Sequence, residues 1–79
     1  MPVFEFFWTD EVAEHCSAHG IDLDDFERIV RSPLKTDFSR SSGQLCAFGF
    51  DSEGHYTICV YELLDALTVL PVTAYHPET

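Results

Sequence analysis

The sequence predicts an α+β fold in which two N-terminal helices pack on one face of a small antiparallel sheet, in the order β-α-α-β-β-β. Apolar residues recur at helical spacing only between residues 10 and 31. From Leu34 onward they alternate with a period of two, which is typical of strands. Because 79 residues leave no room for a second hydrophobic core, we expect a single domain over residues 1–79.

The first strand and the first helix meet at Thr9. Aromatic and branched residues fill most of positions 3–8, which indicates a short strand. Thr9 is a suitable N-cap, and the acidic residues after it favour the positive end of a helix dipole. A helix over about residues 10–18 should follow and should end at Gly20, a residue typical of helix C-termini. Its apolar stripe is predicted to consist of Val12, Cys16 and His19.

The second helix is predicted over about residues 23–31. Asp22 is its expected N-cap, with Asp25 three residues further on, and Pro33 stops the helical pattern. Two i,i+4 ion pairs are expected on its outer face, Asp24 with Arg28 and Glu27 with Arg31.

The rest of the chain has the composition of strands. Residues 35–39 are a candidate strand, and longer strands are predicted over residues 44–50, 55–63 and 67–75. Gly54 ends a hairpin connection in which a left-handed residue is needed. Pro71 cannot donate a ladder hydrogen bond, so it implies an edge, a bulge or a locally unpaired position.

Two helices can cover only one face of this sheet. The last two long strands nevertheless carry apolar or aromatic residues on both faces, where a sheet with one wet side should alternate with polar residues. An uncovered apolar face on so small a domain indicates a protein partner or a second copy of the chain.

The charge balance excludes nucleic acid as a default partner. The chain has 4 Lys+Arg and 14 Asp+Glu, which gives a net charge of −10. Polyanions and anionic membrane surfaces repel such a chain, and no cation follows Arg40. Disorder is also unexpected, since 46% of the residues are hydrophobic.

The cysteines and the N-terminus indicate a cytoplasmic protein. The three cysteines, an odd number without close spacing, lie among apolar neighbours and are expected to be reduced core thiols whose pKa is raised. The apolar run near the N-terminus lacks the features of a signal peptide. No segment approaches the ~20 apolar residues that a membrane span needs.

His15 and His19 are the candidate metal ligands, because i,i+4 histidines on one helix can bind one ion. The site would need further ligands, and the spacing of His55 and His76 does not connect them with this helix. The alternative is that His19 interacts with the helix dipole while His15 borders the apolar stripe. We therefore expect no cofactor.

Several short motifs follow one another in a familiar order. They are an aromatic strand ending in Phe7-Trp8-Thr9-Asp10, a helix ending at His19-Gly20-Ile21, an acidic start of the second helix, and Pro33 after its end. Over about residues 4–75 the chain resembles the BrnT toxins of the RelE/ParE-like superfamily. The resemblance implies a small ribonuclease that inhibits translation without a metal and is neutralised by an antitoxin encoded beside it.

The chain departs from this family where the activity should lie. Thr73-Ala74-Tyr75 occupies the place of a Ser-Ala-Arg type sequence, and no basic segment follows it. RNA cleavage needs groups that stabilise phosphate charge and transfer protons. Arg40, His76 and Tyr75 would be the catalytic residues if they converge.

The leading hypothesis is therefore a cytoplasmic protein with a RelE/BrnT-like fold that acts by protein–protein interaction. Its partner would be an antitoxin-like or basic protein, or a second copy of the chain bound through the apolar sheet face. The alternatives are a toxin-type ribonuclease and a zinc-binding module.

Overall fold

A computed structural model describes residues 4–38 and 43–77. The elements are β1 (Glu5–Phe6), α1 (Asp10–Ala18), α2 (Leu23–Arg31), β2 (Lys35–Phe38), β3 (Leu45–Phe50), β4 (Tyr56–Leu63) and β5 (Thr68–Tyr75). This confirms the α+β class, and the candidate strand after α2 forms as β2. Neither described helix is long and apolar enough to cross a membrane.

The sheet is mixed, with the strand order β1-β5-β4-β3-β2. The pairs from β2 to β5 are antiparallel as predicted, but β1 pairs with β5 in parallel, with Glu5 opposite Thr68. Parallel neighbours need a long crossover connection, and here α1, α2 and three strands supply it. The two-residue β1 is too short for its sequence to indicate a partner.

The C-terminus of α1 forms the predicted glycine cap. Gly20 has φ +75°, and its N–H donates to the carbonyl of Ser17 at 3.0 Å. The next N–H, of Ile21, donates to the carbonyl of Cys16 at 2.9 Å. These two bonds form a Schellman motif, and they turn the chain so that Ile21 enters the core.

The two predicted N-caps behave differently. The Thr9 hydroxyl accepts the N–H of Val12 at 3.3 Å, as expected. Asp22 is the N-cap residue of α2, but its side chain forms no capping bond. The Asp25 carboxylate, in the first turn of α2, accepts hydrogen bonds from the Ser52 hydroxyl at 3.0 Å and from the Ser52 N–H at 3.2 Å. Asp25 therefore fastens α2 to the β3–β4 turn.

Arg28 pairs with Asp25 rather than with the predicted Asp24. Its Nη2 atom lies 3.2 Å from Asp25 Oδ1 and donates to the carbonyl of Phe50 at 2.9 Å. Arg28 thus joins α2 to the end of β3, and this tertiary contact overrides the local i,i+4 preference.

The second predicted pair on α2 is confirmed, since Arg31 lies 3.4 Å from Glu27. Glu27 also accepts the indole N–H of Trp8 at 2.8 Å. Arg31 in turn lies over the ring of Phe6, 5.1 Å from its centroid. The outer face of α2 therefore holds β1 and the residues that follow it.

The hydrophobic core lies between the helices and one face of the sheet. The register places Ala47, Cys59 and Ala74 side by side on this face, and all three are fully buried. Cys16 of α1 and Ile29 of α2 belong to the same buried cluster, so both helices cover one face. The small residues in this row let the helices approach closely.

Pro71 lies at a β-bulge, one of the three predicted alternatives. Val60 pairs with Thr73 but Tyr61 pairs with Pro71, so Val72 is an extra residue in β5. Because a bulge interrupts the regular ladder of hydrogen bonds, a proline, which has no N–H to donate, can lie here in a strand that has neighbours on both sides.

The contacts of Asp25 predict an acid-dependent part of the stability. Burial acts to raise the pKa of Asp25, but the hydrogen bonds from Ser52 and Arg28 outweigh it and lower the pKa. A lowered pKa in the folded state means that this stabilisation is complete above the ordinary aspartate pKa and is lost as the pH falls through the lower, folded-state pKa.

Replacing Asp25 by Asn should therefore lower the free energy of unfolding at neutral pH by about 1–3 kcal/mol, because charged hydrogen bonds are lost. The difference from the wild type should shrink below the ordinary aspartate pKa of about 3.9. Urea unfolding across a pH series measures both effects. Asp24→Asn, on an exposed position of the same helix, is the control. Equal acid sensitivity of Asp25→Asn and the wild type would contradict the assignment.

Candidate functional site

Three polar side chains meet at one end of the central strands. Asp51 follows β3 and His55 precedes β4, and the N–H of Asp51 donates to the carbonyl of His55 at 2.9 Å to close the hairpin. His76 follows β5, whose last residue, Tyr75, pairs with Ile58. This register brings the end of β5 beside the start of β4 and so places His76 next to the hairpin.

The three side chains surround one carboxylate oxygen. Asp51 Oδ2 lies 2.9 Å from His76 Nε2 and 3.6 Å from His55 Nδ1. The two imidazole rings are 5.2 Å apart, edge to face. The Asp51 side chain is 3% exposed, whereas those of His76 and His55 are 30% and 60% exposed. A buried anion thus supports two imidazoles that reach solvent.

The turn itself orients the Asp51 carboxylate. Its Oδ1 atom accepts the N–H of His55 at 2.8 Å and that of Glu53 at 3.0 Å. Gly54 completes the turn with φ +84°, as the hairpin prediction requires. Burial acts to raise the pKa of Asp51, but the hydrogen bonds from His55, His76 and Glu53 outweigh it and lower the pKa. The carboxylate is therefore ionised at neutral pH.

This cluster can do two kinds of chemistry. A carboxylate hydrogen-bonded to an imidazole fixes the ring and its proton, as general acid–base sites require. One carboxylate and two imidazoles are also ligands that transition metals accept. These side chains form the group of three potential metal ligands that the described residues bring together. An open cleft of about 310 Å³ adjoins them, lined by Gly54, His55, Tyr56, His76 and Pro77.

Of the three predicted catalytic residues, the structure describes Tyr75 and His76. Arg40 lies outside the described residues. Tyr75 and His76 are consecutive, so their side chains leave the strand in opposite directions. Tyr75 lies opposite Ile58 on the face without helices, whereas His76 contacts Asp51.

The predicted histidine pair on α1 lies apart from this cluster. The rings of His15 and His19 are 4.6 Å apart, and both residues are exposed. Within residues 4–38 and 43–77, no third His, Cys, Asp or Glu is close enough to form a three-ligand group with them. His19 is the C-cap of α1 and does not continue the buried stripe, which corrects its predicted position. The helix ends there and the ring remains in solvent.

The cysteines are free thiols with raised pKa values. Burial raises the pKa of Cys59 to about 12 and also raises that of Cys16. Cys46 is only half-buried, because its place in β3 directs it to the face without helices. The prediction of core thiols therefore holds for Cys16 and Cys59 but not for Cys46.

The sheet face opposite the helices is the second candidate site. The open face, as we name it, is formed by Cys46, Phe48, Phe50, Tyr56, Ile58, Val60 and Tyr75, which the register places on one side. Phe50 and Tyr56 pack edge to face at 5.5 Å, and Phe48 lies 6.1 Å from Tyr56. Phe50, Tyr56 and Tyr75 remain 49%, 39% and 40% exposed. The predicted second apolar face is thus confirmed.

Few charged residues of the described part of the chain border the open face. The register places Asp37 beside Cys46 and Glu62 beside Leu70 on this side of the sheet. Among residues 4–38 and 43–77, Lys35 is the cation on this side, and its Nζ atom lies over the Phe48 ring, 5.4 Å from the centroid. The border of the open face is therefore mildly acidic, and Lys35 forms a cation–π contact with Phe48.

Sequence reasoning missed the cluster because it compared the strand-end histidines with those of α1, and His76 with Arg40 and Tyr75, but neither histidine with Asp51. The available signal was Asp51 and His55 at the two ends of a hairpin connection. The addition of His76 required the register of β5, which the bulge after Pro71 shifts by one residue. If the alternation of β5 is counted through Val72 as though it were a regular position, the residues of β4 and β5 that lie opposite each other are predicted wrongly.

We expect alanine substitutions of the two histidines in the cluster to lower the free energy of unfolding of chelator-treated protein by different amounts. His76→Ala should lower the free energy of unfolding by about 1–3 kcal/mol, because the buried Asp51 carboxylate loses a hydrogen bond. His55→Ala should change it by less than about 0.5 kcal/mol, because its ring is mostly exposed. Urea unfolding in the presence of the chelator gives both values. Equal losses would show that His76 does not anchor β5.

Comparison of the chain with protein-family models, with curated proteins and with solved structures finds no match. The resemblance to the BrnT toxins therefore rests on the short motifs of the sequence. The ribonuclease activity and the antitoxin that it implies stay predictions.

Proposed function

We propose that this protein is a protein-binding module whose open face binds a basic partner with an apolar contact surface. The observation that carries the proposal is the group of partly exposed aromatic side chains on a sheet face that no described helix covers. Aromatic residues of this kind are the usual anchors of protein–protein interfaces, because they bury a large area with few rotatable bonds.

The aromatic groups are placed where an interface needs them. Phe50, Tyr56 and Tyr75 lie on the three central strands β3, β4 and β5. Val60, also on the open face, is only 8% exposed, so the neighbouring side chains already form a packed base. A partner that covers the aromatic rings removes apolar surface from water. Because the rings stand on this packed base, their ordering costs little conformational entropy when the partner binds.

The charges favour a basic partner over a second copy of the chain. Each copy has a net charge of −10, so two copies repel each other as they approach. Asp37 and Glu62 add negative charge at the open face. A partner of opposite charge gains from the same field, which speeds its association.

RNA is a poorer fit to the same aromatic surface. Single-stranded nucleic acids bind to aromatic platforms that lie in cationic grooves. Among the described residues, Arg28 and Arg31 are paired with acids, and Lys35 lies over Phe48. The described surface therefore offers little free positive charge to a phosphate backbone.

The proposal predicts that aromatic variants lose binding. The probe is the protein encoded by the adjacent reading frame, purified and titrated calorimetrically into this chain. Phe50→Ser and Tyr56→Ser should each weaken binding about tenfold or more, since buried aromatic anchors contribute about 2 kcal/mol or more. Leu64→Ser is the matched control, because Leu64 is 56% exposed but lies outside the open face.

Light scattering after size exclusion provides the second measurement, and we expect the isolated chain to be a monomer. A dimer that Phe50→Ser dissociates would identify a second copy as the occupant and contradict the basic partner. A monomer that does not bind the neighbouring protein would contradict the proposal as well. An equal loss of binding in Leu64→Ser would show that the open face is not the contact.

The ribonuclease alternative predicts a different outcome in cells. Induced expression should then arrest growth, and Arg40→Ala or His76→Ala should relieve the arrest. Under our proposal, growth continues at the normal rate. Arrest that both variants relieve would favour the ribonuclease.

A further inference from the structure

We propose that Asp51, His55 and His76 bind a zinc ion, with a fourth coordination position open to the adjoining cleft. The proposal does not depend on the protein-binding function, because none of the three ligands belongs to the open face, although Tyr56 of that face lines the adjoining cleft. It rests on the donor atoms, their spacing and the way in which the turn holds the carboxylate.

The donor set suits zinc. Zinc in proteins is bound by imidazole nitrogen and carboxylate oxygen, and sites with three protein ligands leave one position for water or another group. Mg²⁺ and Ca²⁺ prefer sets made of oxygen atoms alone. The two imidazoles of His55 and His76 therefore select for a transition-metal ion.

The spacing of the donor atoms is close to that of a tetrahedral site. Zinc bonds of about 2.0–2.1 Å place neighbouring tetrahedral ligands about 3.3–3.4 Å apart. In the structure, Asp51 Oδ2 lies 2.9 Å from His76 Nε2 and 3.6 Å from His55 Nδ1, values on either side of that separation. All three donor atoms lie within 4.8 Å of one another.

The turn already provides the outer support that metal ligands need. The two backbone N–H groups of Glu53 and His55 occupy Asp51 Oδ1, which leaves Oδ2 to face the imidazoles. Such second contacts to a ligating carboxylate orient it and raise metal affinity. Asp51 is ordered by the hairpin, so an ion need not order the carboxylate itself.

An ion also has a route into the site. The His55 side chain is 60% exposed, and the cleft beside it is lined by Tyr56, His76 and Pro77. Binding would exchange the hydrogen bond between His76 and Asp51 for two metal bonds, and a proton on His76 Nε2 would pass to Nδ1 or to solvent. The ion would then join the end of β5 to the β3–β4 hairpin.

The test is calorimetric titration of zinc chloride into chelator-treated protein. We expect one bound ion per chain and a higher melting temperature with zinc. His55→Ala and His76→Ala should each weaken zinc binding at least about 100-fold, since even outer-shell changes cost 10–100-fold. The double variant His15→Ala/His19→Ala is the matched control and should bind zinc like the wild type. Magnesium chloride should give no binding heat.

The coordinating atoms can be checked by long-range ¹H–¹⁵N correlation spectra of the imidazoles. Zinc should shift Nδ1 of His55 and Nε2 of His76 and leave His15 and His19 unchanged. His55→Ala keeps the experiment decisive if His76→Ala unfolds, because the exposed His55 ring contributes little to stability. Absence of a one-to-one zinc complex, or binding that depends on His15 and His19 instead, would overturn the proposal.

Discussion

Two nine-residue helices have to cover a sheet of five strands, and the layout of the molecule depends on this constraint. A helix with its side chains is about 10 Å wide, so two of them cover the width of about 19 Å that five strands occupy. Both helices are therefore needed on one face of the sheet, and neither is left to cover the other face. Several sheet residues at the centre of the covered face are small, as Ala47, Gly49 and Ala74 are, whereas the partly exposed aromatic residues Phe50, Tyr56 and Tyr75 lie on the other side.

Gly49 illustrates how closely the covered face is packed. A Cβ atom at this position would lie 3.1 Å from Cγ2 of Ile29, so even alanine would press against α2. Because the elements pack this closely, carboxylates at the end of the sheet can accept hydrogen bonds from a neighbouring element. Asp25 of α2 and Asp51 of the β3–β4 turn each accept backbone N–H groups of that turn. One turn is thereby tied to α2 by Asp25 and to β5 by Asp51.

The helices and their ends could be predicted from the sequence because their signals are local. Thr9, Gly20 and Pro33 each act within one turn of the chain, and the structure places them as expected. Asp25 shows where this reasoning fails, since an acid near a helix N-terminus is expected to interact with the helix, but this carboxylate accepts the hydroxyl and the N–H of Ser52. The site at Asp51 depends on strand register, and the extra residue Val72 shifts that register. No short window of sequence contains the information.

The parallel pairing of β1 with β5 also joins two segments that lie far apart in the sequence. Glu5 is synthesised early, but its partner Thr68 comes after both helices and three strands. During synthesis, β1 has no partner until β5 leaves the ribosome, and Phe6 remains without its strand neighbour. The other strands pair with sequence neighbours and can form hairpins first. The β1–β5 pair therefore cannot form before β5 has been synthesised, and a chain shortened before β5 leaves β1 unpaired.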